Sequence, residues 1–350
     1  MKTKIEKKNN LYYKIKYLLP QNIQFKNIFR EYRTLFTIYN KSDYLIQIKG
    51  IEFNNNNSKS EIIFIFSDEG IDLYCLIKSN VFDYREQDNL MKWILFEILK
   101  GIETLHSLNI IHRDLNPCHI FISSRGAVKI AGFSRSINDI EAKFVEDKVV
   151  GILHYIAPEC LIGNNYNNKI DLWNFGVLML EIIYKKIGIF DFGDDSNEDY
   201  SIRLFRQLKS LANHFEIPFK FNEKNYKLDD LKTWLTNAKI NPEIFNKLYP
   251  DLDKDASELL MKLLAFNPKE RITAKEALKS PYFKSFQNLN KDEFKKKKIK
   301  ENNNELSFFL KNLEKEFQKA EALPLDKKNE IFKKEILKIS KQNFNDIKNY

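Results

Sequence analysis

Glycine is scarce, and it is absent from the first part of the chain. The 350 residues include 10 glycines, and the first of them is Gly50. A loop that cradles phosphate with backbone N–H groups needs glycine, because a side chain would block the close approach of the backbone. Residues 1–49 are therefore predicted to contain no glycine-rich phosphate loop.

Cysteines and long apolar runs are also few. Cys75, Cys118 and Cys160 are odd in number and far apart, which excludes a disulfide framework and a metal-ligand pair and favours reduced thiols. No stretch approaches roughly 18 apolar residues, and the first ten residues lack the apolar core of a signal peptide. We expect a soluble intracellular protein without a membrane segment.

Positive charge exceeds negative charge along the chain. Lysine and arginine number 57 against 48 aspartates and glutamates, which gives a net charge of +9. A lysine-rich solvated surface is the preferred explanation, and an acidic partner or nucleic acid is the alternative. The 43% of hydrophobic residues suffices for one two-lobed domain of about 250–300 residues with an extension.

Residues 111–134 are the most informative stretch. A polar turn at 112–114 follows an apolar run, and a proline turn leads into a short apolar strand at 120–122. A glycine-containing turn then returns the chain as a second strand. This hairpin is predicted to bring two polar loops, 112–119 and 132–134, to the same edge.

These two loops resemble the catalytic loop and the metal-binding loop of eukaryotic protein kinases, whose patterns are H-R-D-L-K-P-x-N and D-F-G. The chain reads His112-Arg113-Asp114-Leu115-Asn116-Pro117-Cys118-His119 in the first loop and Gly132-Phe133-Ser134 in the second. Asp114 and Gly132 are 18 positions apart, which is the usual spacing in that family. The order and spacing of the two motifs are retained, whereas several of their side chains differ.

Further motifs extend the resemblance over about residues 11–286. They are Ala157-Pro158-Glu159, Asp171-Leu172-Trp173-Asn174-Phe175-Gly176 and Asn267-Pro268-Lys269-Glu270-Arg271-Ile272-Thr273-Ala274. The resemblance implies an α+β, two-lobed protein kinase-like fold with a truncated small β lobe, a mainly helical large lobe and a helical C-terminal extension. It also implies structural roles, namely a Glu159–Arg271 pair, an Asp171 that accepts backbone N–H bonds, and packing or positioning by His112, Arg113 and Phe133.

The small lobe resembles the back half of that of a cyclin-dependent kinase. Its predicted elements are a strand at 11–18, a helix at 22–40, and strands at 45–53 and 62–66. By resemblance, Glu31 in the stretch IFREYRTL is the helix-C glutamate, and Lys16 is its candidate partner for nucleotide binding. An ordinary strand lysine is the equally weighted alternative for Lys16. Lys14 occupies the family's alanine position and is expected to obstruct the adenine slot.

Three segments are predicted. Residues 1–70 form a truncated small lobe without a glycine-rich loop, residues 71–286 form the large lobe, and residues 287–350 form a lysine-rich helical tail. The tail has apolar residues at helical spacing, namely Leu306, Phe309, Leu310, Leu313 and Phe317. Packing on its own domain is preferred over packing on a partner.

The chemical groups for phosphoryl transfer are depleted. By resemblance the two Mg²⁺ positions are Gly132, which has no side-chain ligand, and His119, whereas Mg²⁺ prefers oxygen. Asn116 stands at the position of the catalytic lysine, and Asp114 remains as a vestigial base. We expect no metal and no cofactor, neither ATP nor Mg²⁺. Losing these groups raises the barrier by at least about 5 kcal/mol, on the order of 10⁴ in rate.

One acidic residue is a candidate substitute for a regulatory phosphate. Between Ser136 and Tyr155 there is no serine, threonine or tyrosine, and Asp147 stands at the usual phosphorylated position. We hypothesise that Asp147 pairs with Arg113 and Arg30 and fixes one active-like shape. An exposed acidic loop is an equally weighted alternative.

The preferred function is therefore that of a pseudokinase, an inactive serine/threonine kinase of the cyclin-dependent or MAP kinase type. It would act by binding proteins, as a scaffold or allosteric regulator, with an active kinase as a candidate partner. The alternative is weak or unconventional ATP-dependent transfer that uses Asp114 and Lys16. A nucleic-acid module is disfavoured, because only the charge of 291–300 supports it. The cytoplasm or nucleus is the expected location.

Overall fold

The computed structural model describes residues 6–8, 12–18, 24–56, 59–67, 70–78, 88–123, 126–138, 142, 149–163, 165–191, 193, 199–222 and 226–287. The strands are β1 Glu6–Lys8, β2 Tyr12–Leu18, β3 Ile48–Asn56, β4 Lys59–Ser67, β5 Ile71–Asp72, β6 Ile110–Ile111, β7 Ile120–Ile122, β8 Val128–Ile130 and β9 Ile137–Asn138. The helices are α1 Gln24–Ile38, α2 Leu73–Lys78, α3 Asp88–Ser107, α4 Pro158–Leu161, α5 Lys169–Tyr184, α6 Tyr200–His214, α7 Leu228–Asn237, α8 Pro242–Leu248, α9 Lys254–Leu263 and α10 Ala274–Ala277.

The small lobe is an antiparallel sheet with the strand order β1-β2-β4-β3. β1 was not predicted, since the first strand was expected at 11–18. Pairing of Glu6–Lys8 with β2 supplies the backbone hydrogen bonds that a charged segment needs at a sheet edge. β3 and β4 extend beyond the predicted strands at 45–53 and 62–66, because Asn54 and Asn55 pair with Glu61 and Ser60.

Helix α1 connects β2 to β3 and buries one face. Ile28, Leu35 and Ile38 are buried apolar residues of this face, at helical spacing. After α1, the backbone of Ile46 donates to the carbonyl of Ile130 at 2.9 Å, and that of Ile130 donates to Tyr44 at 2.9 Å. These bonds fasten the segment after α1 to β8, and thus to the predicted hairpin.

The hairpin itself agrees with its prediction. β7 and β8 pair antiparallel, with Ile120 opposite Ile130 and Ile122 opposite Val128. β6 pairs with β9 on the other side of the loops, with Ile111 opposite Ile137. The loops at 112–119 and 132–136 therefore emerge together.

Helix α5 is the centre of the large lobe. Its residues from Ile170 to Ile182 are all buried, so the helix has no solvent-facing side over more than three turns. Trp173 packs edge-on against Phe266 with ring centroids 5.6 Å apart. A core built this way gives side chains on α5 a fixed position relative to the loops.

The chain divides into two compact units, residues 1–192 with 204–289, and residues 193–203 with 290–350. The predicted helical tail lies outside the described residues from 288 onward. Within the described part, no helix combines the length and apolar character needed to cross a bilayer.

Candidate functional site

Asp171 of α5 anchors the first loop. Its carboxylate accepts hydrogen bonds from the backbone N–H of His112 at 2.9 Å and of Arg113 at 3.0 Å. His106 Nε2 donates to the same carboxylate at 2.9 Å. Burial opposes ionisation of Asp171, but the hydrogen bonds from His106 and His112 outweigh burial and hold its pKa below the usual value. The loop is thus attached to the buried helix α5.

His112 connects the two loops. It is fully buried, its Nε2–H donates to the carbonyl of Ala131 at 2.8 Å, and its Nδ1 accepts from the backbone of Asp114 at 3.2 Å. Burial is the main reason that its pKa is lowered, so the neutral imidazole serves as donor and acceptor at once. Its ring lies 5.4 Å from that of Phe133, which is itself fully buried.

Asp114, the residue predicted as a vestigial base, is surrounded by polar neighbours. Arg135 Nε lies 3.6 Å from its Oδ2, and Asn116 Nδ2 donates to its Oδ1 at 3.3 Å. His119 Nδ1 lies 3.8 Å from Oδ2. The side chain of Asp114 is 11% exposed. Its carboxylate is therefore already engaged by groups of the chain itself.

Asn116 organises the loop by local hydrogen bonds. Its Oδ1 accepts from the backbone of Cys118 at 3.0 Å and caps the 3-10 turn Pro117–His119. Its Nδ2 donates to the carbonyl of Asp114 at 2.9 Å. Because Asn116 is 2% exposed and bonded to Asp114 and Cys118, this uncharged amide serves the loop backbone.

His119 and Gly132 are in direct contact across the two loops. Gly132 has a φ of +79°, in the left-handed region that favours glycine. A Cβ at this position would stand 2.5 Å from Cγ and 2.7 Å from Nε2 of His119, and closer still to Cδ2. The imidazole is held in place because its Nδ1–H donates to the carbonyl of Asp114 at 2.7 Å. The ring therefore fills the space that a side chain at 132 would need.

Helix α1 adjoins the second loop. Thr34 donates to the hydroxyl of Ser136 at 2.6 Å, and Ser136 donates to the carbonyl of Phe133 at 2.7 Å. Glu31 is 3% exposed on the same helix. The side chains of Lys14 and Lys16 lie outside the described ones, although the backbone of Lys16 pairs with Ile63. A Glu31–Lys16 pair and an obstructed adenine slot stay predictions.

Asp147 also lies outside the described residues, so its pairing with Arg113 and Arg30 stays a prediction. Both arginines are buried, at 3% and 6% exposure.

Glu159 and Arg271 form a bidentate ion pair outside the two loops. The two Nη atoms of Arg271 donate to the two carboxylate oxygens of Glu159 at 2.7 and 2.9 Å, with both side chains fully buried. Arg271 Nε also donates to the carbonyl of Ala265 at 3.0 Å, and the guanidinium lies 5.3 Å from the ring of Trp173. The arrangement ties the segment at 157–159 to the last helices.

Two contributing residues escaped the sequence-based predictions. Glu181 is fully buried, accepts from Tyr155 OH and from the backbone of Gly188 at 2.6 Å, and burial raises its pKa to about 7. The single acid within the apolar run of α5 was a usable signal for it. Arg135, the ion-pair neighbour of Asp114, carried no signal, because its contact depends on how two distant loops meet.

Comparison with known proteins places these observations in context. Residues 2–283 match the family described as the protein kinase domain. Extracellular signal-regulated kinase 2 of Dictyostelium discoideum is 28% identical over 268 residues, which cover 74% of this chain and 68% of the relative. Two relatives from Arabidopsis thaliana are each 27% identical, mitogen-activated protein kinase 13 over 253 residues and mitogen-activated protein kinase 10 over 278 residues. These matches span 66% and 67% of the two relatives and 71% and 79% of this chain.

Proposed function

The chain belongs to the protein kinase family, and from this premise we propose that it is a pseudokinase, which binds proteins and does not transfer phosphate. The two-lobed α+β fold is that of the family, and the relatives are MAP kinases. Membership alone does not decide activity, because one fold supports several functions. The decision rests on the two loops of the site.

The contact between His119 and Gly132 is the observation that carries the proposal. Mg²⁺ requires oxygen ligands in near-octahedral geometry, and neither a glycine nor an imidazole at these positions provides one. The space for a carboxylate at 132 is taken by the His119 ring. The residues present do not fit the magnesium ions that the family uses for transfer.

The remaining groups strengthen this interpretation. Asn116 replaces the cationic lysine that contacts the transferred phosphate, and its amide is used by the loop. Asp114 is engaged by Arg135 and Asn116, so a substrate hydroxyl would have to displace a neighbour before reaching it. Losing the metal and phosphate contacts costs about 5 kcal/mol or more of transition-state stabilisation, on the order of 10⁴ in rate.

The chain retains the fold of the family without the groups for phosphate transfer, and such a fold is suited to binding proteins. Asp171, Glu159 and Arg271 form buried hydrogen bonds that hold the large lobe together independently of the groups that transfer phosphate. A scaffold or allosteric role toward an active kinase is the proposed use. The free thiols of Cys75, Cys118 and Cys160 suit a reducing compartment, the cytoplasm or the nucleus.

A thermal-shift titration with ATP, with and without Mg²⁺ or Mn²⁺, tests the proposal together with a phosphoryl-transfer assay. A nucleotide present at about 100 times its Kd would add about 2.7 kcal/mol of stability and raise the Tm visibly. We expect no metal-dependent shift and no transfer above that of Asp114→Asn. A metal-dependent shift with transfer that is lost in Asp114→Asn would establish the alternative, a weak kinase that uses this base.

A further inference from the structure

Cys75 and Cys118 lie at matching positions beyond the end of one strand pair. β5 and β7 pair antiparallel, with Asp72 opposite Phe121. Cys75 follows Asp72 by three residues, and Cys118 precedes Phe121 by three residues. Because the strands are antiparallel, these two directions lead to the same end of the ladder. The pairing therefore places the two cysteines at the same distance along the chain from one pair of facing residues.

Both segments coil directly beyond this pair, which keeps the cysteines near each other. Cys75 lies in α2, and Cys118 lies in the 3-10 turn Pro117–His119. Three residues advance a helical segment by only about 4.5–6 Å, against roughly 10 Å in a strand. Helix α2 packs against the 3-10 turn and against β7, so the two segments stay in contact beyond the ends of the strands.

Asp72 and the two thiols form one polar patch. The carboxylate of Asp72 accepts from the backbone of Cys75 at 2.7 Å and from its Sγ at 3.6 Å. Partial burial of the sulfur atoms and the charge of Asp72 raise the pKa of Cys75 and of Cys118 to about 12, and Cys118 adds to the shift of Cys75. The reduced, protonated thiols are thus the resting form. Both residues also have surface in contact with solvent, so a small oxidant can reach them.

A metal ion explains the pair less well than a covalent bond does. Among the residues that the structure describes, no cluster of three or more histidine, cysteine, aspartate or glutamate side chains has the arrangement of a metal site. A structural zinc ion takes four such ligands. Two thiols on segments that pack together need only each other to form a disulfide, which joins residues with Cα atoms about 4.4–6.8 Å apart.

We propose that Cys75 and Cys118 form a reversible disulfide when a hydroperoxide oxidises them. With hydrogen peroxide, the thiolate of one cysteine attacks a peroxide oxygen, so that an S–O bond forms, the O–O bond breaks, and a sulfenic acid and one water result. The second thiol then attacks that sulfur, the S–S bond forms, and the oxygen leaves as a second water. The cysteine pair gives up two electrons and two protons to the peroxide. A dithiol reverses the step by thiol–disulfide exchange.

The disulfide joins α2 to the first loop of the site. It closes a segment of 118 − 75 = 43 residues that contains α3. It also fixes the 3-10 turn that Asn116 caps and that ends at His119. The inference goes beyond the proposed function, since it adds an oxidised form of the protein whether or not the chain transfers phosphate. Transient disulfides of this kind are the ones found in reducing compartments.

Peroxide treatment of the full chain tests the inference. The reduced protein, freed of reductant and kept dilute, is incubated with hydrogen peroxide, and the remaining thiols are alkylated after denaturation. We expect three alkylated cysteines before treatment and one afterwards, Cys160, together with a peptide in which Cys75 is linked to Cys118. Dithiothreitol should restore all three. The oxidised protein should melt at least about 5 °C above the reduced one, because the link restricts the unfolded chain.

Two serine variants serve as the matched pair. Cys118→Ser removes one partner, so peroxide should leave Cys75 as a thiol or as a sulfenic acid that dimedone traps, without a rise in Tm. Cys160→Ser is the control, because Cys160 is buried at 4% exposure and should not take part in the link. We expect this variant to form the disulfide as the wild type does. Circular dichroism checks that both variants are folded.

A parallel reaction with diamide separates the geometry of the pair from its reaction with peroxide. No link with either oxidant would overturn the inference, and so would a link that includes Cys160 or joins two chains. Oxidation of Cys75 and Cys118 to separate acids in the wild type would have the same meaning. A link that diamide forms and hydrogen peroxide does not form would overturn the peroxide step.

Discussion

Two regions of the large lobe differ in which of the family's groups they retain. Glu159, Arg271 and Asp171 are buried, and each of their charged groups is hydrogen-bonded to another part of the chain. In the two loops, glycine, histidine and asparagine stand at the positions that the motif resemblance predicts for metal and phosphate ligands. A buried ion pair cannot lose one member cheaply, because the other charge is left without a partner. A residue that binds a ligand is not paired with another charge of the chain, so its replacement leaves no unpaired buried charge. The two loops can then form contacts with each other.

The largest expected effect is on the buried pair. Arg271→Met leaves the carboxylate of Glu159 buried without its partner and removes the bond to Ala265. We expect a loss of about 3–5 kcal/mol in the free energy of unfolding, measured by urea denaturation. Lys239→Met is the matched control, because Lys239 pairs with Glu270 at the surface at 3.3 Å, and a loss below about 1 kcal/mol is expected. Equal losses would remove the distinction between buried and exposed pairs.

The pH dependence of stability at Glu181 provides a test of the same buried part of the large lobe. Its folded pKa of about 7 lies above the unfolded value of 4.5, so the folded state favours the protonated form. The stability it contributes is complete below pH 4.5 and is lost as the pH rises toward 7, by roughly 3 kcal/mol. We expect Glu181→Gln to flatten this part of the stability curve, measured as Tm at several pH values. Parallel curves for the two proteins would show that Glu181 does not titrate in this range.

The contact between the two loops is testable by restoring a carboxylate. Gly132→Asp places a side chain against the His119 ring at a positive φ, and we expect a loss of about 1–3 kcal/mol. Gly132→Asp with His119→Asn should regain part of this loss, because the smaller side chain vacates the space. The Tm values of both singles and the double form a double-mutant cycle. Strict additivity would contradict the proposed contact.

The smallest expected effect is on the loop cap. Asn116→Ala removes the acceptor for Cys118 and the donor to Asp114, and should cost about 1 kcal/mol. Asn241→Ala serves as control, because Asn241 caps α8 through Glu243 at 2.8 Å outside the site. Amide hydrogen exchange should accelerate at Cys118 in the first variant and not in the second. Unchanged exchange at Cys118 in Asn116→Ala would show that the cap does not hold the loop.

The sequence was sufficient to predict features that depend on residues close together along the chain. The hairpin at 120–130 follows from apolar runs and a glycine turn, and the position of the two loops follows from the hairpin. The small lobe was less predictable, because β1 is a charged segment whose strand structure comes from its neighbour. The contacts of Arg135 with Asp114 and of His119 with Gly132 join residues from separate loops, and no periodicity encodes them.

The packing of His119 on Gly132 also constrains how this sequence can change. Introducing an aspartate at 132 alone meets the imidazole ring, and replacing His119 alone leaves glycine facing an empty space. Each single step toward a metal ligand set therefore yields a variant that is less well packed and still without a complete set. We therefore expect tolerated substitutions at positions 119 and 132 to occur together rather than singly, because each residue limits the space of the other.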